Sequence, residues 1–344
     1  MQAVTMTKSE PPFQTQPWSA SGGLESRSYS VHRIGFESYG SMLAGNLFLP
    51  KSSGPWPAIV IVGPVAFVKE QAPLQYATRL AAEGFVVLIF DPRCHGESEG
   101  LPRRNENPTA KVADICAAVD ALVARPDVDR QRIFVLGICQ GVNWTIEAAR
   151  KDLRIRAICL VAGHYLTPQV ARMYLGGEEA VAARLAKSLR AAETNRQTGE
   201  VGYVPIVSSS FLTPDRDALL AASFVQSFYI RWADRHPMLA HRGLWENRIT
   251  EMSEHLIWGH RIDQSVQDLQ LPVLMLHADR AASGPDVPRQ LFEAIPSSHK
   301  KLVWLGTQGQ IQFYEDPITI DVVIPHLSDF LTNLPPETEN RPDP

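Results

Sequence analysis

Five short runs in this chain are almost wholly apolar: Ala58–Val62 (AIVIV), Phe85–Phe90 (FVVLIF), Arg132–Leu136 (RIFVL), Ala157–Val161 (AICLV) and Pro272–Leu276 (PVLML). A strand loses its polar alternation only when both of its faces are covered, as in a parallel sheet flanked by helices. Segments with helical spacing lie between the first four: Gln71–Glu83, stopped by Gly84, then Ala110–Ala124 and Val142–Arg150. This alternation predicts an α/β fold with a mostly parallel central sheet and helices on both faces. Upstream, Tyr29–Phe36 and Met42–Leu49 read as two strands joined at a turn over Ser38–Gly40. Downstream, Lys301–Leu305 reads as a last strand and Asp321–Leu331 as a closing helix.

The rhythm breaks after Gly163. Between Thr167 and Gln270 helical stretches appear (Glu178–Thr194, Asp215–Ala233) with no further buried strand. The chain therefore divides into a loose segment over 1–27, a core over 28–164 and 271–333, a helical cap over 165–270 and a Pro-rich, acidic tail over 334–344. An insertion at the carboxyl edge of such a sheet lies over the ligand crevice. Its aromatic residues (Phe224, Phe228, Tyr229, Trp232, Trp245, Trp258) form either an apolar lid or the cap's own core.

A length of 344 residues with 44% hydrophobic content accommodates one large domain carrying such an insertion. With 33 basic against 37 acidic residues, there is no electrostatic footprint for nucleic acid or an anionic membrane. No apolar run reaches the roughly 18 residues of a membrane span. Cys94, Cys116, Cys139 and Cys159 form no C-x-x-C pair, against both a zinc knuckle and a disulfide framework. Met1–Gly23 lacks an apolar core, so the chain reads as cytoplasmic. The phosphate-loop spacing and H-E-x-x-H are missing, so no metal and no dissociable cofactor is expected. The expected partner is a small-molecule substrate, with no nucleic acid and no membrane.

Two segments match G-x-[SC]-x-G. Gly96–Gly100 contains Ser98, but Pro102 and Pro108 follow it and block the helix that a nucleophile elbow needs. Gly137-Ile138-Cys139-Gln140-Gly141 lies between the strand RIFVL and the helix VNWTIEAAR, which is the required strand–turn–helix context. Cys139 would stand at a helix N-terminus, where partial positive charge favours thiolate. The other three cysteines read as structural.

The runs VIVGPVAFVKEQ, FDPRCHGESEG, NPTAKVADICAAVDAL and LGICQG resemble the α/β-hydrolase superfamily, and most of all its dienelactone-hydrolase-like members with a cysteine elbow. The resemblance covers about Ser28 to Leu331. It implies that Cys139 is the nucleophile and that the backbone N–H of Gln140 is one oxyanion donor. A second donor comes from Gly63-Pro64-Val65-Ala66, with Val65 the best candidate, in a loop bulkier than the family's glycine-rich form. The acid falls on Asp279, after PVLML. The base should follow KLVWL, yet the position where the family typically has histidine is Gln310, and Lys300 to Pro325 contain no histidine.

Glutamine accepts no proton at useful pH, so water activation should suffer more than attack by a thiol. Three routes follow. In the first, another histidine serves as base: His164 after AICLV, His277 two residues before Asp279, or the cap's His236, His241, His255 and His260. His95 reads as structural. In that case the chain is a cysteine-dependent hydrolase of an ester, lactone or thioester of a small organic acid, the first expectation. The second is a non-hydrolytic tailoring enzyme, a cyclase or acyl transferase, in which Gln310 and Gln140 are hydrogen-bond donors; Gln310→His should then gain water-dependent turnover. The third is a non-catalytic ligand binder.

Overall fold

The computed structural model describes residues 16–17, 26–210, 215, 217–220, 223–234 and 245–334. Most of the expected elements are present. Strands β1 (Gln16–Pro17), β2 (Tyr29–Ser38), β3 (Ser41–Pro50) and β4 (Trp56–Val62) come first. Helix α1 (Ala72–Ala82), β5 (Val86–Phe90), α2 (Pro108–Val123), β6 (Val128–Ile138), α3 (Gly141–Lys151) and β7 (Ile155–Val161) then alternate. The cap region holds α4 (Pro168–Leu175), α5 (Glu178–Thr198), β8 (Tyr203–Val204), α6 (Ser223–Asp234), β9 (Ile249–Thr250), α7 (Glu254–Trp258) and α8 (Ile262–Ser265). The core closes with β10 (Val273–His277), α9 (Asp286–Ala294), β11 (Lys300–Trp304), α10 (Gln312–Glu315) and α11 (Pro317–Thr332).

The main sheet runs β1-β2-β3-β5-β4-β6-β7-β10-β11. Its first pairings, through β3 to β5, are antiparallel, and the rest are parallel. Every residue of β5 and β10 is buried, as continuous apolar runs require. Local chemistry sets several boundaries. Asn107 caps α2 by accepting from the Ala110 N–H at 3.1 Å, with Pro108 beginning the helix. Gly84 takes φ +93° just beyond α1, a backbone angle that a β-carbon disfavours.

The chain leaves β4 toward β5 on one side and returns to β6 on the other. Strand order therefore reverses beside β4, and the crevice at such a switch point is where ligands bind in open α/β sheets. The ends of β4 and β6 lie abreast there, Val62 opposite Gly137.

Three expectations need correction. The closing helix starts at Pro317 rather than Asp321, because the Asp316 carboxylate accepts from the Thr319 N–H at 3.1 Å and caps it. The helix expected over Asp215–Ala233 begins only at Ser223. Leu219 and Leu220 instead donate to the carbonyls of Pro205 and Ile206, both at 2.8 Å, so backbone pairing wins over helical spacing. Helix α9 was not anticipated. The expected loose segment 1–27 and tail 334–344 fall outside the described residues, apart from Gln16–Pro17, 26–27 and Leu334.

Candidate active site

The turn after β6 has the strain of a nucleophile elbow. Cys139 adopts φ +56°, which non-glycine residues seldom take. Its N–H donates to the Val161 carbonyl (3.0 Å), and its carbonyl accepts from the His164 N–H (3.1 Å), so both neighbours hold it in place. The flanking glycines are there for space. A β-carbon on Gly141 would lie 2.5 Å from the Val62 carbonyl oxygen, and one on Gly137 would lie 2.6 Å from the Thr145 hydroxyl. The close approach at Gly141 presses the elbow against the loop that follows β4.

That loop supplies a donor. The Cys139 sulfur is buried, and burial pushes its thiol up to about 11. Against burial work the Tyr314 hydroxyl, the backbone N–H groups of Gln140 and Val65, and the Gln310 side chain. No histidine and no carboxylate is among these groups. The two backbone N–H groups are the pair expected of an oxyanion hole.

Gln310 is held from three sides. Its Oε1 accepts from the Ala282 N–H at 2.7 Å, and its Nε2 donates to the Ala162 carbonyl (2.8 Å) and to the Tyr314 hydroxyl oxygen (3.0 Å). A backbone N–H on one side and a backbone carbonyl on the other fix the amide's orientation without ambiguity. Tyr314, with its oxygen accepting from Gln310, turns its proton toward Cys139. The sequence reading missed Tyr314; the one available signal was its spacing of four residues from Gln310, which a helical turn brings onto one face.

The expected acid is elsewhere. Asp279 is exposed, and its Oδ1 accepts from the Trp304 indole N–H at 2.9 Å, while Gln310 bonds to the Ala282 backbone. His277 is buried under Tyr165 and Trp304 and bonds to the carbonyls of Ala278 and Gly163. His95 lies against Glu106 at 3.3 Å, with burial holding it down to about 4. His255 bonds to Ser188, and His260 packs on Trp144. His236 and His241 lie outside the described residues. His164 is buried beside the elbow, its Nδ1 3.5 Å from Gln140 Nε2, and burial lowers it to about 3. Ser98 ties its loop to β3: its hydroxyl donates to the Asp91 carbonyl (2.5 Å) and accepts from the Ala44 N–H (2.8 Å).

Aromatic residues of the segment between β7 and β10 close over the loop after β4. The Tyr229 hydroxyl donates to the Val65 carbonyl (3.4 Å), the Trp245 indole donates to the Ala66 carbonyl (2.9 Å), and the two rings stack. Beneath, the buried Glu106 carboxylate accepts from the Ala66 N–H (2.5 Å) and pairs with Lys111. Ala66 itself has φ +52°, so this loop is held from both sides in an uncommon conformation. A cleft of about 490 Å³ runs between α6 and the segment after β11, with Phe228, Trp232 and Tyr314 in its wall. A second, of about 350 Å³, reaches Gln310 past Phe224 and Arg280. Among the described residues no cluster of His, Cys, Asp or Glu could hold a metal ion, and no helix is long and apolar enough to cross a membrane.

Residues 70–307 match the family model described as serine aminopeptidase, S33. The chain belongs to this family of α/β-hydrolases. This S33-family chain carries cysteine in its elbow, where the family's description names serine. An uncharacterized protein of Pseudomonas aeruginosa is 38% identical over 163 residues, 46% of this chain and 44% of that protein. Its crystal structure superposes with a TM-score of 0.76 at 26% identity, covering 92% of this chain and 99% of that one. The thiohydrolase aneE of Aspergillus aculeatus is 31% identical over 51% of this chain and 54% of its own length. The polyketide transferase claH of Penicillium crustosum is 31% identical over 36% of this chain and 40% of its own. The sequence matches thus span about half, or less, of the length of each of these three curated relatives. The chain has the α/β-hydrolase fold of this family.

Proposed function

We propose that this protein is a cysteine-dependent acyl-transfer enzyme acting on a thioester, passing the acyl group from Cys139 to an amine or alcohol rather than to water. The observation that carries this reading is the wiring of Gln310. Its amide is locked as a donor to Tyr314, which donates to Cys139, so the place of a water-activating base holds only donors.

The chemistry balances without a strong base. In the first step the Cys139 sulfur bonds to the acyl carbon, the carbon–sulfur bond of the substrate breaks, and the thiol proton leaves on the departing thiol. Thiol exchange between thioesters is nearly isoergic, and the small thiolate fraction of Cys139 carries the attack. The N–H groups of Gln140 and Val65 stabilise the oxyanion as it forms. In the second step the acceptor's nitrogen or oxygen bonds to the acyl carbon, the bond to Cys139 breaks, and the acceptor's proton ends on sulfur. The Tyr314 hydroxyl stabilises that sulfur as it leaves. Relatives named as a thiohydrolase and a polyketide transferase support a thioester or acyl-chain substrate.

Hydrolysis is the second reading, favoured by the family match. Intact-protein mass spectrometry with the N-acetylcysteamine thioester of octanoic acid separates the two, with Cys139→Ala as control. Acyl transfer predicts a persistent adduct on Cys139 that discharges when an amine or alcohol is added. Steady release in buffer alone, unchanged by acceptors, would establish the hydrolase; no adduct would end both covalent readings.

A further inference from the structure

Three buried polar atoms grouped around His164 have no hydrogen-bond partner among the described residues: Gln140 Oε1, His164 Nε2 and Trp258 Nε1. Leaving such a group unsatisfied is destabilising, and native proteins keep few of them. These three belong to one cluster. Gln140 bonds to His164, and the His164 ring packs against Trp258 with centroids 5.9 Å apart. Tyr174 covers both rings, at 4.6 Å and 5.9 Å, and is itself satisfied through the Ala282 carbonyl. The cluster adjoins the reacting sulfur: Gln140 follows Cys139 in the chain, and the His164 N–H donates to the Cys139 carbonyl.

The chemistry of the orphans is independent of how the Gln140 amide and the His164 ring are oriented. If Gln140 Nε2 donates to His164 Nδ1, the free groups are an acceptor on Gln140 and a donor on His164. If the amide is turned, Gln140 offers a donor and His164 Nε2 becomes the acceptor. Trp258 is a donor in both cases. The total is always two donors and one acceptor.

That set is the complement of a hydroxyl group, which donates once and accepts twice. A carboxylate would leave the acceptor facing another acceptor, and an ammonium would face two donors. Burial keeps His164 neutral, so the cluster brings no charge of its own. We infer that Gln140, His164 and Trp258 form a subsite for a neutral hydroxyl group of the substrate, next to the nucleophile. This deepens the acyl-transfer reading and rests on it for the reacting group: the acyl chain is expected to be hydroxylated.

The test uses Cys139→Ala, so that binding is read without chemistry. Isothermal calorimetry compares the N-acetylcysteamine thioester of octanoic acid with its 2-, 3-, 5- and 7-hydroxy derivatives. At least one hydroxy compound should bind ten- to hundredfold more tightly than the unsubstituted one. Adding Trp258→Phe, which keeps the ring and deletes the N–H, should shrink that ratio to within about threefold. Equal affinities across the series, binding of none, or a ratio unmoved by Trp258→Phe would each overturn the subsite. Its failure is distinguishable from failure of the acyl-transfer reading, which is decided by adduct formation on Cys139 in the unsubstituted protein.

Discussion

The two halves of the site have been treated differently. On one side, the turns after β4 and β6 hold a strained cysteine, Cys139, and two backbone donors, Val65 and Gln140, facing its sulfur, the parts that the proposed acyl chemistry needs first. Here Gly141 allows close approach, Glu106 anchors the loop from below, and Tyr229 and Trp245 seal it from above. On the other side, the turns after β10 and β11 no longer form a proton-accepting relay. Asp279 has turned to Trp304 in solvent, and Gln310 is stitched to the backbone of Ala162 and Ala282. On the acyl-transfer proposal, one half forms the acyl-enzyme and the other presents no base that would let water release it. On that proposal acyl capture and acyl release are separable, because the two depend on turns at different strand ends.

The largest effect expected of this division is on the pH dependence of the thiol. Burial and the lack of a base leave Cys139 mostly protonated at neutral pH, with its thiol up to about 11. Thiolate is the reactive form, and its fraction grows tenfold per pH unit below the pKa. Site-resolved alkylation of Cys139 by iodoacetamide should rise about a thousandfold from pH 7 to pH 10 without levelling off. A plateau near pH 8 would mean that a base or cation activates this thiol, and the contrast between the halves would collapse.

Next in size is Tyr314→Phe. The ring remains to pack against Phe228, and Gln310 keeps its bond to the Ala162 carbonyl, so the fold should persist. What disappears is a hydroxyl donor to sulfur. A hydrogen bond to a charged group contributes about 1.5–3 kcal/mol, so acylation measured by adduct formation should slow about ten- to hundredfold. An unchanged rate would remove Tyr314 from the mechanism.

Gln310→His sharpens the comparison further. In sequence terms the substitution restores the missing base. The structure argues for a smaller gain, because the Ala282 N–H points at the side-chain acceptor of residue 310. A histidine there would spend one nitrogen's lone pair on that N–H, and its proton would sit on the other nitrogen, making it a donor toward the site. A histidine held in the wrong tautomer is a poor base. Release of the octanoyl adduct to water should rise by less than about tenfold. A gain of several hundredfold would show that the second half needs only the imidazole.

These arguments also locate what could be read from residues alone. The sheet and the elbow turn are written locally: apolar runs fix the strands, and GICQG with its flanking strand and helix fixes the turn. The role of Asp279 was not legible, because position after β10 says only which turn the residue occupies, and Trp304 decides where its side chain goes. Tyr314 was invisible for the same reason: its hydroxyl matters through Gln310 and Cys139, residues that meet only in the fold. The hydroxyl subsite joins residues from the elbow, the end of β7 and the cap, spaced too far apart for any motif.

The smallest expected effect bears on the family pattern most directly. In the usual arrangement a carboxylate after this strand orients the base, and replacing it by an amide severely lowers turnover. Here Asp279 is exposed and its Oδ1 receives the Trp304 indole N–H, a bond that asparagine's oxygen can accept equally well. Asp279→Asn should therefore change both acylation and acyl release by less than about twofold, because surface substitutions of this kind have small effects. Loss of activity by tenfold or more would place the carboxylate back in the reaction. It would then mean that side chains after β10 and β11 rearrange when substrate binds, and that the division between the two halves describes only the unliganded protein.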